Sequence, residues 1–360
     1  MKITGMGYRR FKTKLTTPVP AVDQLLRIRE GIYVEIETES GVTGIGEIAP
    51  LPGYSDLSTD RIQVYLGQIN SSFPTEFPDD LNVSDLQSVL MDFELPPEVR
   101  FGVEQALLDA FSRTKGIPLV RIFDGTPVRR IPVNGFISSR DPAGAASRAR
   151  RLINQGYSTL KVKVGSGRFP DDLRLLEAIR EVAPSVTLRL DANRAWDLED
   201  ALRHMTELEQ YSIEYIEEPL RNPVPDRLRR LREHSPVPLA VDESVRSVEQ
   251  VESLLSANAA DVYVLKPTLQ RGLTVTQAAA SLIADAGRKI VLTSTYDTHI
   301  ATLGIAHLAA ALAPGTPHGL STLSLFEEIP GFNMRDWLRN GFLYLRESPG
   351  IGITFTGAVL

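Results

Sequence analysis

A parallel α/β barrel behind a small α+β domain is the fold class that this sequence predicts, and three observations predict it. The apolar pattern changes near residue 127. Beyond that point short apolar strands alternate with helical stretches, which is the signature of βαβ units. Ionisable residues then recur at the ends of consecutive strands at nearly constant spacing. With 360 residues, 42% of them apolar, the chain fills one large core and a smaller one.

The first domain is read from its strands and one helix. The opening MKITGMGYRRFKTKL alternates as a strand does, and residues 31–48 read as two strands joined by the turn-forming Glu39-Ser40-Gly41. Val103, Ala106, Leu107, Ala110 and Phe111 follow at helical spacing. That helix stops at Lys115-Gly116-Ile117-Pro118. From Ile131 onward strands are expected at 132–137, 159–164, 187–191, 213–217, 239–242, 262–266 and 290–293, with a weak eighth near His318. The count favours a closed barrel. An open doubly wound sheet would show a glycine-rich phosphate turn after its first strand, and Asn134-Gly135-Phe136 is not one.

Composition excludes several functions. A net charge of −6 and a pI near 5.6 supply no basic stripe for a phosphate backbone, so no nucleic-acid partner is expected. The chain has no cysteine, so a metal must sit on carboxylates or histidines, and a reducing cytoplasm is the expected setting. The N-terminal residues hold no apolar block resembling a signal peptide. The apolar stretch 300–313 is too short to span a bilayer and is expected as a buried helix, so no membrane partner is expected.

Chemistry is expected at the strand ends. Lys163, Asp191, Glu217, Asp242 and Lys266 close consecutive strands at spacings of 28, 26, 25 and 24 residues. In a parallel barrel those ends share one rim, where active sites are built. Carboxylates on Asp191, Glu217 and Asp242 repel one another unless a cation lies between them. Hard oxygen donors favour Mg²⁺, with Mn²⁺ as the alternative, and leave positions for substrate oxygens. The opposing reading is that these acids pair with the flanking lysines and bind nothing. In Lys161-Val162-Lys163 the period of two sets both ammonium groups on one inward face. Crowding penalises their charged form, which suits Lys163 to act as a base. Arg189, two residues before Asp191, is expected to prop up the metal ligands through an ion pair.

The motifs LKVKV, RLDANRAW, YIEEPL, VDES and VLKPTL, in that order, resemble the enolase superfamily and within it the o-succinylbenzoate synthases. The likeness includes GIGEIAPLPGYS at 44–55 and PHGLSTLSLFEE at 317–328. It implies a modified (β/α)7β TIM-like barrel at 127–323, an α+β capping domain at 1–126, and a C-terminal segment, 324–360, returning to the cap. It also implies that Asp191, Glu217 and Asp242 hold Mg²⁺, that Lys163 is the base and that Lys266 faces it across the substrate. Lys161 would neutralise the substrate carboxylate. The activity implied is dehydration of 2-succinyl-6-hydroxy-2,4-cyclohexadiene-1-carboxylate, a small carboxylate made for menaquinone or phylloquinone.

Substrate contacts are expected from the hydroxyls and amides of Thr293-Ser294-Thr295 and from the backbone N–H of Gly319 in a tight turn. The loop 16–29 is expected to close over the ligand. Asp297 and His299 are set aside as a His-Asp base because Lys266 fills the opposing position, and Gly165-Ser166-Gly167 reads as an ordinary βα loop. A racemase of N-acylamino acids or an epimerase of dipeptides is the alternative enzyme. VLKPTLQRG departs from the racemase pattern, and no Asp-x-Asp pair follows the seventh strand. A catalytically silent binding barrel would need none of these five residues.

Overall fold

The computed structural model describes residues 1–353 apart from 22–23, 73–75, 78–84, 86–87, 91–92, 328 and 330–331. The chain begins with an antiparallel sheet in the order β1 (Ile3–Ala21), β2 (Gln24–Thr38) and β3 (Thr43–Ile48). The β2–β3 turn closes at Gly41, whose φ of 76° suits a residue without a Cβ. Helix α1 (Thr59–Ser72) follows, then α2 (Pro97–Thr114). The second helix lies directly on β3 because Gly44 and Gly46 have no side chains. A Cβ at Gly46 would meet the Gly102 carbonyl oxygen at 1.9 Å. With one face on this sheet and another on the barrel, α2 is buried along almost its whole length.

The described residues of the segment 16–29 are strand rather than loop. They belong to the far end of the β1–β2 hairpin, where Val19 pairs with Leu26 after a register shift, and positions 22–23 lie outside the described residues. Proline disfavours a central strand, but β1 is an edge strand and tolerates Pro18.

The barrel is a seven-stranded parallel sheet whose neighbours follow chain order: β5 (Gly135–Ile137), β6 (Thr159–Lys163), β7 (Thr187–Asp191), β8 (Ile213–Glu217), β9 (Leu239–Val241), β10 (Val262–Leu265) and β11 (Lys289–Leu292). Helices α3 (Pro142–Asn154), α4 (Phe169–Val182), α5 (Leu198–Leu208), α6 (Pro225–His234), α7 (Val248–Ser256), α8 (Leu273–Asp285) and α9 (His299–Leu312) follow the strands in turn. The apolar run at 300–313 is α9, buried through nearly all its turns.

The weak eighth strand is two residues long. His318 and Gly319 form parallel bridges to Val133 on one side and Thr293 on the other. His318 O accepts from Asn134 N (2.9 Å) and Gly319 N donates to Leu292 O (2.8 Å). The His318 ring supplies a further acceptor: Leu292 N donates to its Nδ1 at 3.0 Å, and its Nε2 faces Ala313 O at 3.0 Å. Burial pushes this imidazole down to about 4, so it stays neutral and keeps the acceptor that the seam requires.

The expected first strand, 132–137, is divided. Its early part, β4 (Arg130–Pro132), pairs antiparallel with β13 (Phe342–Tyr344), which also pairs with β12 (Leu338–Arg339) just after the short helix α10 (Met334–Trp337). The Arg130 guanidinium lies 4.1 Å over the Phe342 ring, and this contact draws the segment to the returning C-terminal chain. Farther on, Ile351 N donates to Asp109 Oδ1 of α2 (2.7 Å) and Arg113 Nη2 to Ile353 O (2.7 Å).

Candidate active site

Strand pleating sets the lysines. Leu160 and Val162 of β6 are fully buried toward the helices, which leaves Lys161 and Lys163 on the inward face. Register places Lys163 beside Asp191 and Asp191 beside Glu217 on one rung of β6, β7 and β8. Asp242 and Lys266 each lie one residue past their strands. All five predicted residues therefore come to one rim.

The three acids are buried, with 4%, 1% and 4% exposure for Asp191, Glu217 and Asp242. Lys161 Nζ stands between two of them, 2.9 Å from Asp191 Oδ2 and 2.7 Å from Glu217 Oε1. Lys266 Nζ donates to Asp242 Oδ2. With the ammonium groups so placed, no three acidic or histidine side chains among the described residues converge as a ready cage for a metal. Yet Glu217 Oε2 and Asp242 Oδ1 are buried and meet no donor. Orphaned carboxylate oxygens are costly, and a pair from neighbouring strands with no sulfur or imidazole nearby is the donor chemistry of a hard divalent cation. The residues fit such an ion.

Burial, then the charges of Asp191 and Asp242, push the Glu217 carboxyl well above its ordinary range against the pull of Lys161. Burial acts the same way on Asp242, but Lys266 and Lys161 outweigh it and hold that group low. The lysines differ as well. Burial disfavours charge on all three, but Asp191, Glu217 and Asp242 hold Lys161 well above the ordinary value, and Asp242 with Glu243 raises Lys266. Lys163 goes the other way: burial, helped by Lys161 and Lys266, outweighs Asp191 and lowers it.

The site opens into a cavity of about 690 Å³, lined by Lys161, Lys163, Asp191, Asp242 and Lys266 and by Phe136, Tyr54, Arg246 and Ser294 among others. No described residue of the segment 16–29 lines it. Thr293, Ser294 and Thr295 do, but their hydroxyls have local partners. Thr293 donates to Gly319 O (3.0 Å), Ser294 meets Thr322 (2.6 Å), and Thr295 donates to Asp297 Oδ1 (2.8 Å). Gly319 offers no free N–H, because the barrel seam takes it. What it lends is space, since a Cβ there would meet Thr293 Oγ1 at 2.4 Å. Arg189 pairs with Glu214 (2.6 Å) and donates to Pro317 O (2.5 Å), so it braces the barrel below the rim rather than pairing with any of the three acids.

Three further residues shape the site. Glu218, the second acid of YIEEPL, has a φ of 42° and turns away from the rim. It accepts from Asp242 N (2.9 Å), Ser244 and Arg194 Nε (3.1 Å), which fixes the loop carrying Asp242. Glu243 accepts from the Tyr54 hydroxyl (3.1 Å) and from Asn193 (3.3 Å), tying the first domain to the rim. The doubled acids in EEP and DES are the visible signals in the sequence, and Tyr54 lies in GIGEIAPLPGYS.

A closed, capped β/α barrel with carboxylates and lysines gathered on one rim defines a class of barrel enzymes. The sequence pattern of the enolase C-terminal domain-like family matches residues 144–359, and that of the MenC N-terminal domain matches residues 6–110. The chain belongs to the enolase superfamily. It is 26% identical to a D-Ala-D/L-Ala epimerase of Cytophaga hutchinsonii over 98% of this chain and 95% of that one. It is 36% identical to an o-succinylbenzoate synthase of Thermobifida fusca over 55% of this chain and 62% of that one. The dipeptide epimerase from C. hutchinsonii, complexed with Mg and D-Ala-L-Val, superposes with a TM-score of 0.88 at 25% identity, covering 99% and 97% of the two chains. No helix among the described residues is long and apolar enough to cross a membrane.

Proposed function

We propose that the chain is an o-succinylbenzoate synthase, a Mg²⁺-dependent lyase converting 2-succinyl-6-hydroxy-2,4-cyclohexadiene-1-carboxylate to o-succinylbenzoate and water. The observation that carries this reading is the asymmetry of the two opposed lysines. Lys266 is bound to Asp242 and held as a cation. Lys163 has no ion-pair partner among the described residues, and burial, helped by the charges of Lys161 and Lys266, lowers its pKa below the ordinary lysine value. One base and one fixed cation suit removal of a proton from a single face. An epimerase needs both lysines to exchange roles.

Asp191, Glu217 and Asp242 would hold Mg²⁺, or Mn²⁺ in its place. When bound, the ion supplies positive charge at the substrate carboxylate, where a second negative charge develops. Lys163 Nζ takes the proton from the carbon beside that carboxylate. Lys161, next to the same carboxylates, and Lys266, on the opposite strand, present fixed positive charge to the growing anion and so lower the barrier. The C–O bond to the β-hydroxyl then breaks with its electron pair on oxygen. The proton on Lys163 converts the departing hydroxide to water, the ring becomes aromatic, and the lysine regains its free amine.

The 36% identity to a synthase supports this reading, as does a cavity lined by six cationic side chains against three carboxylates. Ser321, Thr322 and Leu323, in the segment after the seam, offer no acid for the ammonium of a dipeptide. The epimerase relative, alike over nearly the whole chain, keeps a racemase or epimerase as the second reading. The test is incubation of the Mg²⁺-loaded protein in D₂O with the cyclohexadiene acid and, separately, with N-succinylamino acids. Aromatisation of the first is expected. Rapid α-deuteration of the second without aromatisation would overturn the lyase.

A further inference from the structure

We infer that Arg246 anchors a second carboxylate of the substrate, remote from the reacting one, so that this site selects dianions over monoanions of the same size. The inference rests on the reading that this cavity takes a carboxylate, and it adds which end of the ligand is read and by what.

Arg246 lies in the loop between β9 and α7 and lines the same cavity as Lys163 and Lys266. Its guanidinium stacks over the Tyr54 ring at 5.1 Å, and Lys266 Nζ approaches that ring at 5.7 Å. The backbone is pinned as well. Arg246 N donates to Gln250 Oε1 (2.7 Å), and the preceding Val245 O accepts from Gln270 (3.0 Å). A planar fork held on an aromatic face is pre-organised for two-point contact with a carboxylate.

Among the described residues no carboxylate takes that contact. Tyr54 and Asn193 engage Glu243, and Lys266 holds Asp242. Glu98 of α2 feels the charge of Arg246 but makes no ion pair with it, and burial raises that carboxyl above its ordinary range. The cavity's six cations are Arg140, Lys161, Lys163, Arg194, Arg246 and Lys266. Lys161, Arg194 and Lys266 have ion-pair partners. Lys163 is the proposed base, and Arg140 is exposed to competing water. Arg246 is left as a half-buried, positioned guanidinium lining the ligand space with no ion-pair partner among the described residues.

The test is calorimetric binding to the Mg²⁺-loaded protein with two ligand pairs. Each pair keeps the reacting end and differs by the distant carboxylate: o-succinylbenzoate against 2-butanoylbenzoate, and N-succinylphenylalanine against N-butanoylphenylalanine. Wild type is expected to prefer the dianion by about tenfold or more. Arg246→Gln should weaken the dianion by about tenfold and leave the monoanion within about twofold, with Arg246→Lys between. A wild type indifferent to the second carboxylate in both pairs, or an Arg246→Gln protein that keeps the preference, overturns the anchor. A preference for o-succinylbenzoate that survives Arg246→Gln leaves the lyase standing without the anchor. A preference seen only with the phenylalanine pair, and lost in Arg246→Gln, leaves the anchor standing without the lyase.

Discussion

The two halves of the barrel begin their helices differently. In the first half, α3, α5 and α7 are started by residues of their own. Asp141 accepts from Gly144 N (2.7 Å), Asp197 from Asp200 N (2.9 Å) and Ser247 from Gln250 N (3.3 Å). In the second half, α8 and α9 take carboxylates from the N-terminal domain. Glu104 of α2 accepts from Leu273 N (2.5 Å) and from the Thr274 hydroxyl, while Glu47 of β3 accepts from Thr298 N (2.7 Å) and Ala301 N (3.0 Å). Arg29 and Gln105 add donors to Tyr296 O (2.9 Å) and Ile300 O (2.6 Å). The N-terminal domain is therefore fastened to the side of the barrel that follows β10, whereas β6, β7 and β8, which carry Lys163, Asp191 and Glu217, receive no such cap. The difference teaches that Lys163, Asp191 and Glu217 stand away from the borrowed caps, whereas Lys266, at the end of β10, stands next to them.

The largest expected effect lies on the chemical side. Lys163→Ala should lower turnover by about 10³-fold or more, the range for losing a positioned base. Mg²⁺ affinity by calorimetry and thermal stability should stay near wild type, because the carboxylates and the inter-domain caps are untouched. A variant with wild-type turnover would remove Lys163 as the base.

Next in size is a pair of substitutions, one in each half. Glu47→Ala strands the donors at the start of α9 in a buried place and should cost about 3 kcal/mol. Asp141→Ala removes an exposed cap of the ordinary kind and should cost about 1 kcal/mol. Denaturant unfolding of both variants measures the gap. Equal costs would mean that the borrowed caps matter no more than local ones.

The same contrast marks what was legible in the sequence. Lys163, Asp191, Glu217, Asp242 and Lys266 could be placed because strand period and regular spacing are local signals, and the cap of α7 is likewise local, three residues from its partner. Glu104 and Thr274 are 170 residues apart and Glu47 and Thr298 are 251, so nothing in either segment announces the other. The seam at His318-Gly319 was visible only as a weak strand, since an imidazole does part of the pairing that backbone would otherwise do. Gly319 was given a free N–H for the same reason: a two-residue strand leaves no pattern to show that its amide is committed. Segment 16–29 holds Pro18, and an edge strand is the setting where a proline does not end a strand.

The smallest expected effect is a pH dependence that separates the two kinds of cap by sign. Burial pushes Glu104 up to about 7 from an ordinary 4.5, against hydrogen bonds from Thr274 and Leu273, so the folded chain holds this proton more tightly than the unfolded one. Its contribution is fully present below pH 4.5 and is lost as pH rises through about 7. Glu47, raised to about 7 by burial and by Asp297, shares that sign. Asp197, a local cap, has the opposite one: the hydrogen bond from Asp200 N leads in lowering its pKa, so its contribution is present above 3.8 and is lost as pH falls. Between pH 5 and 8 only the borrowed caps should titrate. Glu104→Gln, neutral and of the same shape, should flatten the fall in thermal midpoint over that window by about 2 °C or more. An unchanged slope in Glu104→Gln would mean that Glu104 is ionised throughout, and the chemical distinction between borrowed and local caps would then fail at that helix.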